Sequence, residues 1–171
     1  MDLLLADQSR SGEGGGEAHP TLLGASAQPR RQFDLPEEDI ESLNQRGLRW
    51  ETVLLLESGQ QALWVFIHEF PLPRGYAGRS TTGVVPCERA TVGIRVTGYP
   101  GGALDMAYFC PPLSRADGRP INNLGDMELD GRTFQQWSRH YTPANPFRVG
   151  IDTIGTHLSL VEEWLERELS R

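Results

Sequence analysis

Between Trp50 and Pro112 the chain carries four apolar, β-rich runs in succession, each ending on residues that do not continue a strand. WETVLLLES closes on Ser58-Gly59, QALWVFIHEFPLP on its prolines, ATVGIRVTGYP on Tyr99-Pro100 and LDMAYFCPP on Pro111-Pro112. Proline has no N–H to give to a ladder, and Ser-Gly is a turn signal. Strands that follow one another over short connections pair with their sequence neighbours, so the pattern predicts a four-stranded antiparallel meander. The connection RGYAGRSTTGVVPCE, with Gly75, Gly78 and Gly83, reads as a loop.

One face of such a sheet needs a helical cover. LPEEDIESLNQRG supplies a short helix: Pro36 suits the first position, Glu37, Glu38 and Asp39 fill the first turn, and Gly47 ends it. GIDTIGTHLSLVEEWLERELSR supplies a second, with Asp152 as the expected N-cap. Its Ile154, Leu158, Val161, Leu165 and Leu169 recur at helical spacing. Between the fourth strand and this helix, Leu113 to Gly150 is rich in turn residues and reads as one long irregular stretch, either functional or holding short helical pieces. The expected fold class is α+β: N-terminal helix, four-stranded antiparallel meander, long loop, C-terminal helix.

The 171 residues suit one domain. Residues 1–32, with SRSGEGGGEAHP and GASAQPRR, read as a disordered N-terminal tail, and 33–171 as the folded domain. A net charge of −7 argues against nucleic acid as a partner. No apolar run is long enough to span a bilayer, and MDLLLADQSR lacks the pattern of a secretory signal, so a cytoplasmic protein is expected. Two cysteines, Cys87 and Cys110, make no disulfide framework and match no metal spacing. All 16 basic residues are arginine. A GC-rich genome accounts for most of that bias, although a lysine-free chain would also suit a protein that handles activated acyl groups.

The element order, taken with particular motifs, resembles the ubiquitin-conjugating fold. Tyr99-Pro100 matches the Tyr-Pro turn after that fold's third strand, Phe109-Cys110-Pro111-Pro112 falls where a hydrophobic residue and His-Pro-Asn would fall, and Trp137-Ser138 resembles a Trp-Ser step before the later helix. LPEEDIESLNQRGLRWE, HEFPLPRGY, LDMAYFCPPL, DGRPI, LDGRTFQQWSRH and FRVGIDTIGTHL are together similar to prokaryotic family E of the ubiquitin-conjugating superfamily, over roughly residues 34–169. The resemblance implies a bacterial modification pathway. The protein would accept a ubiquitin-like C-terminus from a ubiquitin-activating-type enzyme and transfer it to a target, with a peptidase as a possible associate. It also implies a carrier cysteine near Asp117 to Asn122, where RADGRPINN has none; Cys110 instead stands at the place of the motif's histidine.

Such chemistry needs a nucleophile, donors for the oxyanion and a base. Cys110 is the strongest intrinsic nucleophile, against the plainer reading of a buried cysteine acting as a small hydrophobe. His140 in WSRH lies off any periodic apolar face and suits a general base; Ser138, two residues earlier, would form an oxyester if activated. Arg139, Asp117 and Arg119 would orient substrate or stabilise charge, against the plainer reading of surface ion pairs. His157 is expected to pack within the last helix, His68 to bond loop backbone, and Trp50, Trp64, Trp137 and Trp164 to fill the core. Cys87 has no base nearby in sequence. No cofactor or metal is implied. Two other functions fit the same residues: a catalytically inactive module that binds a ubiquitin-like protein and, less well, a hydrolase built on Ser138 and His140.

Overall fold

The computed structural model describes residues 28–80 and 83–171. Of the tail expected over residues 1–32, residues 1–27, His19 included, lie outside the described residues. The architecture is α+β, with two helices and two sheets. The predicted first helix is α1 (Glu37–Gln45), with Pro36 one place earlier than expected, at the N-cap. The strands are β1 (Arg49–Glu57), β2 (Gln60–Pro71), β3 (Tyr76–Ser80), β4 (Gly83–Pro86), β5 (Arg89–Arg95), β6 (Ala107–Cys110), β7 (Leu113–Arg115), β8 (Leu124–Leu129) and β9 (Arg132–Trp137). The last helix is α2 (Ile154–Leu169).

The four apolar runs are β1, β2, β5 and β6, each antiparallel to the next. Two expectations need correction. RGYAGRSTTGVVPCE is not a loop but the hairpin β3–β4, which with β7 forms a separate three-stranded sheet. The stretch Leu113–Gly150 is not one irregular loop: β8 and β9 form a hairpin that continues the main sheet beyond β6, in the order β1-β2-β5-β6-β9-β8. Every residue of β4 is exposed, and most of LGDMEL is not buried, so neither strand shows the apolar alternation by which strands are read. The turn between β8 and β9 is Asp130-Gly131, both at positive φ, the residue pair that a two-residue hairpin favours.

The main sheet is apolar on both faces. Val65, Ile67, Val92 and Phe109 face the helices and join the principal core. Trp64, Phe66, Tyr108 and Phe134 face the other way and form a second core. Burial on both sides explains why β2 reads as an almost continuous apolar run. Gly93 sits opposite Phe66 in the ladder, where a Cβ would lie 3.1 Å from the ring. The second core is closed by Arg30. Its guanidinium donates to both carboxylate oxygens of Glu51 on β1 and to both of Asp130 in the β8–β9 turn, at 2.6–2.9 Å. Arg30 thus bridges the two edge strands of the sheet. Residues just before Phe33 therefore do structural work: Arg31 bridges Thr52 of β1 and lies 3.6 Å over the Trp50 ring.

Three further joints place the helices. Asp39 of α1 is fully buried and accepts the Tyr99 hydroxyl at 2.6 Å and the backbone N–H of Ile154 at 2.7 Å. One carboxylate thereby fixes α1, the turn after β5 and the start of α2, whose N-terminal dipole favours a negative charge. The helices cross closely at Gly155, where a Cβ would fall 2.2 Å from Ser42 Oγ. The N-cap of α2 is Thr153, in a reciprocal box with Thr156, and not Asp152. Asp152 is one residue too early, and its carboxylate takes the backbone and side-chain N–H groups of Arg148. The two sheets meet at buried Gln135 of β9, whose amide exchanges hydrogen bonds with both backbone groups of Leu113 in β7.

The Arg30 bridge makes stability acid-sensitive. Hydrogen bonds from Arg30 hold the Glu51 carboxyl down at about 2, against an ordinary 4.5. A carboxyl whose folded pKa is depressed contributes stability that is complete above its unfolded value and is lost as pH falls towards the folded one. Arg30 is 37% exposed, so solvent screening reduces the contribution to roughly 1–3 kcal/mol. Urea unfolding between pH 5 and about 2 is expected to show that loss in the wild type and a smaller one in Glu51→Gln; equal slopes would contradict it.

Candidate functional site

β6 and β9 pair so that Ala107 lies opposite Trp137. The residues leading into β6 therefore meet those leaving β9, and this brings Asp105 to His140. Asp105 Oδ2 lies 2.6 Å from His140 Nδ1, with both side chains about half exposed. In a neutral imidazole this bond calls for the Nδ1–H tautomer, with Nε2 as the acceptor. The other oxygen, Asp105 Oδ1, is buried without a hydrogen-bond partner among the described residues.

The dyad borders two concavities. One is a groove of about 530 Å³ whose lining includes Leu104, Tyr141, Pro143, Pro146 and Phe147 besides Asp105 and His140. The other, of about 100 Å³, is edged by His140, Arg139, Trp164, Arg167, Glu168 and Arg171. A mostly apolar groove with a polar end, beside an arginine-rich recess, suits an extended organic chain that carries a reactive or anionic terminus.

Behind the dyad stands His157 of α2, fully buried as expected. Its Nε2–H donates to the Met106 carbonyl at 2.7 Å, and its Nδ1 accepts the Tyr141 hydroxyl at 3.0 Å. Burial pushes its pKa down, so the ring is neutral, as that bonding pattern requires. Tyr141 stacks on His157 and meets the edge of Phe147.

The remaining candidates are spread out. Ser138 Oγ accepts from Gln136 Nε2 at 3.4 Å; His140 bonds Asp105, not Ser138. Cys110 is at the far end of β6 from Asp105, three residues beyond Ala107, or about 10 Å along the strand. Its half-buried side chain packs against the second core, and burial raises its thiol pKa. Cys87 is also half-buried, donates to the Arg89 carbonyl at 3.0 Å and has a raised pKa, chiefly from burial. Arg139 reaches Glu168 Oε2 at 2.9 Å and the Asn122 carbonyl, tying the Asp117–Asn122 run to α2. Asp117 pairs with Arg115, which with the backbone N–H of Arg119 holds its carboxyl below the ordinary range. Arg115 in turn caps α2 by donating to the Glu168 and Leu169 carbonyls. Arg119 donates to the Arg171 carbonyl. His68, expected to bond loop backbone, bonds side chains instead: Nε2 is 3.1 Å from Glu51 and Nδ1 3.4 Å from Thr91. Among the described residues no group of three or more His, Cys, Asp or Glu is placed to hold a metal ion. Nor is any described helix long and apolar enough to cross a membrane.

Asp105 is the site residue that sequence reasoning missed. It lies within LDMAYFCPPL, but its pairing with His140 depends on the β6–β9 ladder, and β9 lacks the apolar alternation that marks a strand in sequence.

A family model described as prokaryotic E2 family E matches residues 35–168. The chain belongs to that family. The match runs from the residue before Pro36 almost to the end of α2, so both halves of the dyad, His157 and the groove lie within the part typical of the prokaryotic E2 family E. No curated protein and no solved structure matches the chain.

Both thiols have raised pKa values, so neither is expected to be an activated nucleophile. Alkylation by iodoacetamide at neutral pH is expected to be slower at Cys87 and Cys110 than for free cysteine. Faster labelling of either one, read by mass spectrometry, would return it to candidacy.

Proposed function

We propose that this chain is a ubiquitin-conjugating-like transfer protein of a bacterial ubiquitin-like pathway. It accepts a ubiquitin-like C-terminus from an activating enzyme and passes it to a target, with His140 as the base. Membership of prokaryotic E2 family E supports the role. The observation that carries the assignment of the base is the 2.6 Å contact between Asp105 and His140 at the mouth of the groove. An imidazole held by a carboxylate is oriented, and its conjugate acid is stabilised as it takes a proton.

In this reading the attacking hydroxyl or amine gives its proton to Nε2 of His140 as its bond to the acyl carbon forms. The bond from that carbon to the previous carrier then breaks. Ser138 is the carrier hydroxyl, two residues before His140, whereas Cys110 sits at the far end of β6 with a raised pKa. Arg139, which edges the recess beside His140, offers positive charge to the developing oxyanion. Asp117 and Arg119 hold the neighbouring loop against the end of α2.

A second reading has specific support: Asp117 to Asn122 contains no cysteine, and both thiols are half-buried. In that reading the protein binds a ubiquitin-like partner without carrying it. Incubation with the cognate activating enzyme, ATP and ubiquitin-like protein, followed by a denaturing gel, separates the two. Transfer through Ser138 is expected to give an adduct that survives thiol and is lost in hydroxylamine. A thiol-labile adduct would move the carrier to a cysteine, and no adduct under competent conditions would leave the binding module.

A further inference from the structure

The site's geometry raises a question that the dyad alone does not answer, which is why a half-exposed aspartate and histidine from separate connections should meet so closely. Neither belongs to a helix or strand: Asp105 precedes β6 and His140 follows β9. Segments of that kind are free to move unless something buried holds them. The residue after each member of the pair leads to the same place. Met106 follows Asp105, and its carbonyl accepts His157 Nε2–H at 2.7 Å. Tyr141 follows His140, and its hydroxyl donates to His157 Nδ1 at 3.0 Å.

We infer that His157 is the positioning residue of the site, one neutral ring on α2 that holds both connections and thereby keeps the proton of His140 on Nδ1. The inference rests on the reading of His140 as the working base.

Three observations carry it. First, the backbone at Met106 is strained, with a non-glycine residue at φ +60°, which costs on the order of 1 kcal/mol. That conformation needs a partner, and the His157 bond supplies one on the carbonyl, while Gln136 Nε2 donates to Met106 Sδ at 3.1 Å. Second, His157 uses both ring nitrogens, one as donor and one as acceptor, so one neutral tautomer satisfies both connections. A leucine or phenylalanine of similar size would pack against Trp164 but would satisfy neither. Third, the ring is clamped on its other sides. Trp164 meets it edge-on, Tyr141 stacks on it, and the backbone N–H of His157 is bonded within α2 to Thr153. A clamped ring transmits its position to the groups it holds. His157 touches no reacting atom in this arrangement; it acts through Asp105 and His140.

The test is the tautomer of His140 in the full chain, read from imidazole ¹⁵N shifts in histidine-labelled protein. Free neutral histidine favours the Nε2–H form. The wild type is expected to show His140 mainly as Nδ1–H, and Asp105→Asn is expected to abolish that preference. Tyr141→Phe and His157→Gln are each expected to move His140 back towards Nε2–H while near-ultraviolet circular dichroism stays native. If His157→Gln does not fold, Tyr141→Phe, which removes one oxygen, carries the test. An unchanged Nδ1–H signal in folded Tyr141→Phe or His157→Gln would reduce His157 to a packing residue and overturn the inference, as would a wild type without that signal. The readout needs no activity, so failure of transfer on a gel and failure of this positioning role are told apart.

Discussion

The structure depends on one buried carboxylate. Asp39 accepts the Tyr99 hydroxyl and the first backbone N–H of α2, so the two helices and the turn between β5 and β6 are tied at one point. A buried carboxylate persists where donors replace the lost water. Here a phenol and a helix N-terminus do so. The consequence reaches the site. Fixing where α2 begins fixes the place of its fourth residue, His157, in the first turn. With Gly155 allowing α2 to close on Ser42, the helix seats its histidine under the connections that carry Asp105 and His140.

The rest of the fold separates support from chemistry. On the side of the main sheet away from the helices, the Arg30 bridge between β1 and the β8–β9 turn encloses a second aromatic core. Arg115 and Arg139 pin the run from Asp117 to Asn122 against the last turn of α2. Arg30 and Arg115 are occupied by carboxylates and helix carbonyls, which is a stabilising role, whereas Arg139, paired with Glu168, also edges the recess beside His140. The groove at the dyad differs. It is lined largely by apolar and small residues, and His140 also borders a recess edged by Arg139, Arg167 and Arg171. Among the described residues, the buried side-chain oxygen without a hydrogen-bond partner, Asp105 Oδ1, lies there, at the meeting of β6 and β9.

Much of the fold was legible because its main strands are apolar and end on proline or a Ser-Gly turn. The runs from Trp50 to Cys110 announce β1, β2, β5 and β6, and Ile154, Leu158, Val161 and Leu165 announce the buried side of α2. The hidden strands hid for physical reasons. β4 is wholly exposed, and β9 buries Gln135 beside Phe134 and Trp137, a polar residue that masks the alternation. His140 stood out in sequence as a histidine off any apolar face. Asp105 did not, because an aspartate before a strand looks like any turn residue until β9 is paired with β6. His157 was read as a packed histidine, which it is; its two directed bonds belong to the tertiary structure and leave no mark in the spacing.

The central claim is that His140, oriented by Asp105, is the working group and that the thiols are not. Single-turnover transfer from the charged activating enzyme tests it most directly, comparing His140→Gln with a Cys87→Ala/Cys110→Ala double variant. A base of this kind is worth about 10²-fold or more, so His140→Gln is predicted to lose at least that factor while the thiol-free protein keeps close to the wild-type rate. A thiol-free protein that is inactive beside a His140→Gln variant at full rate would contradict the account.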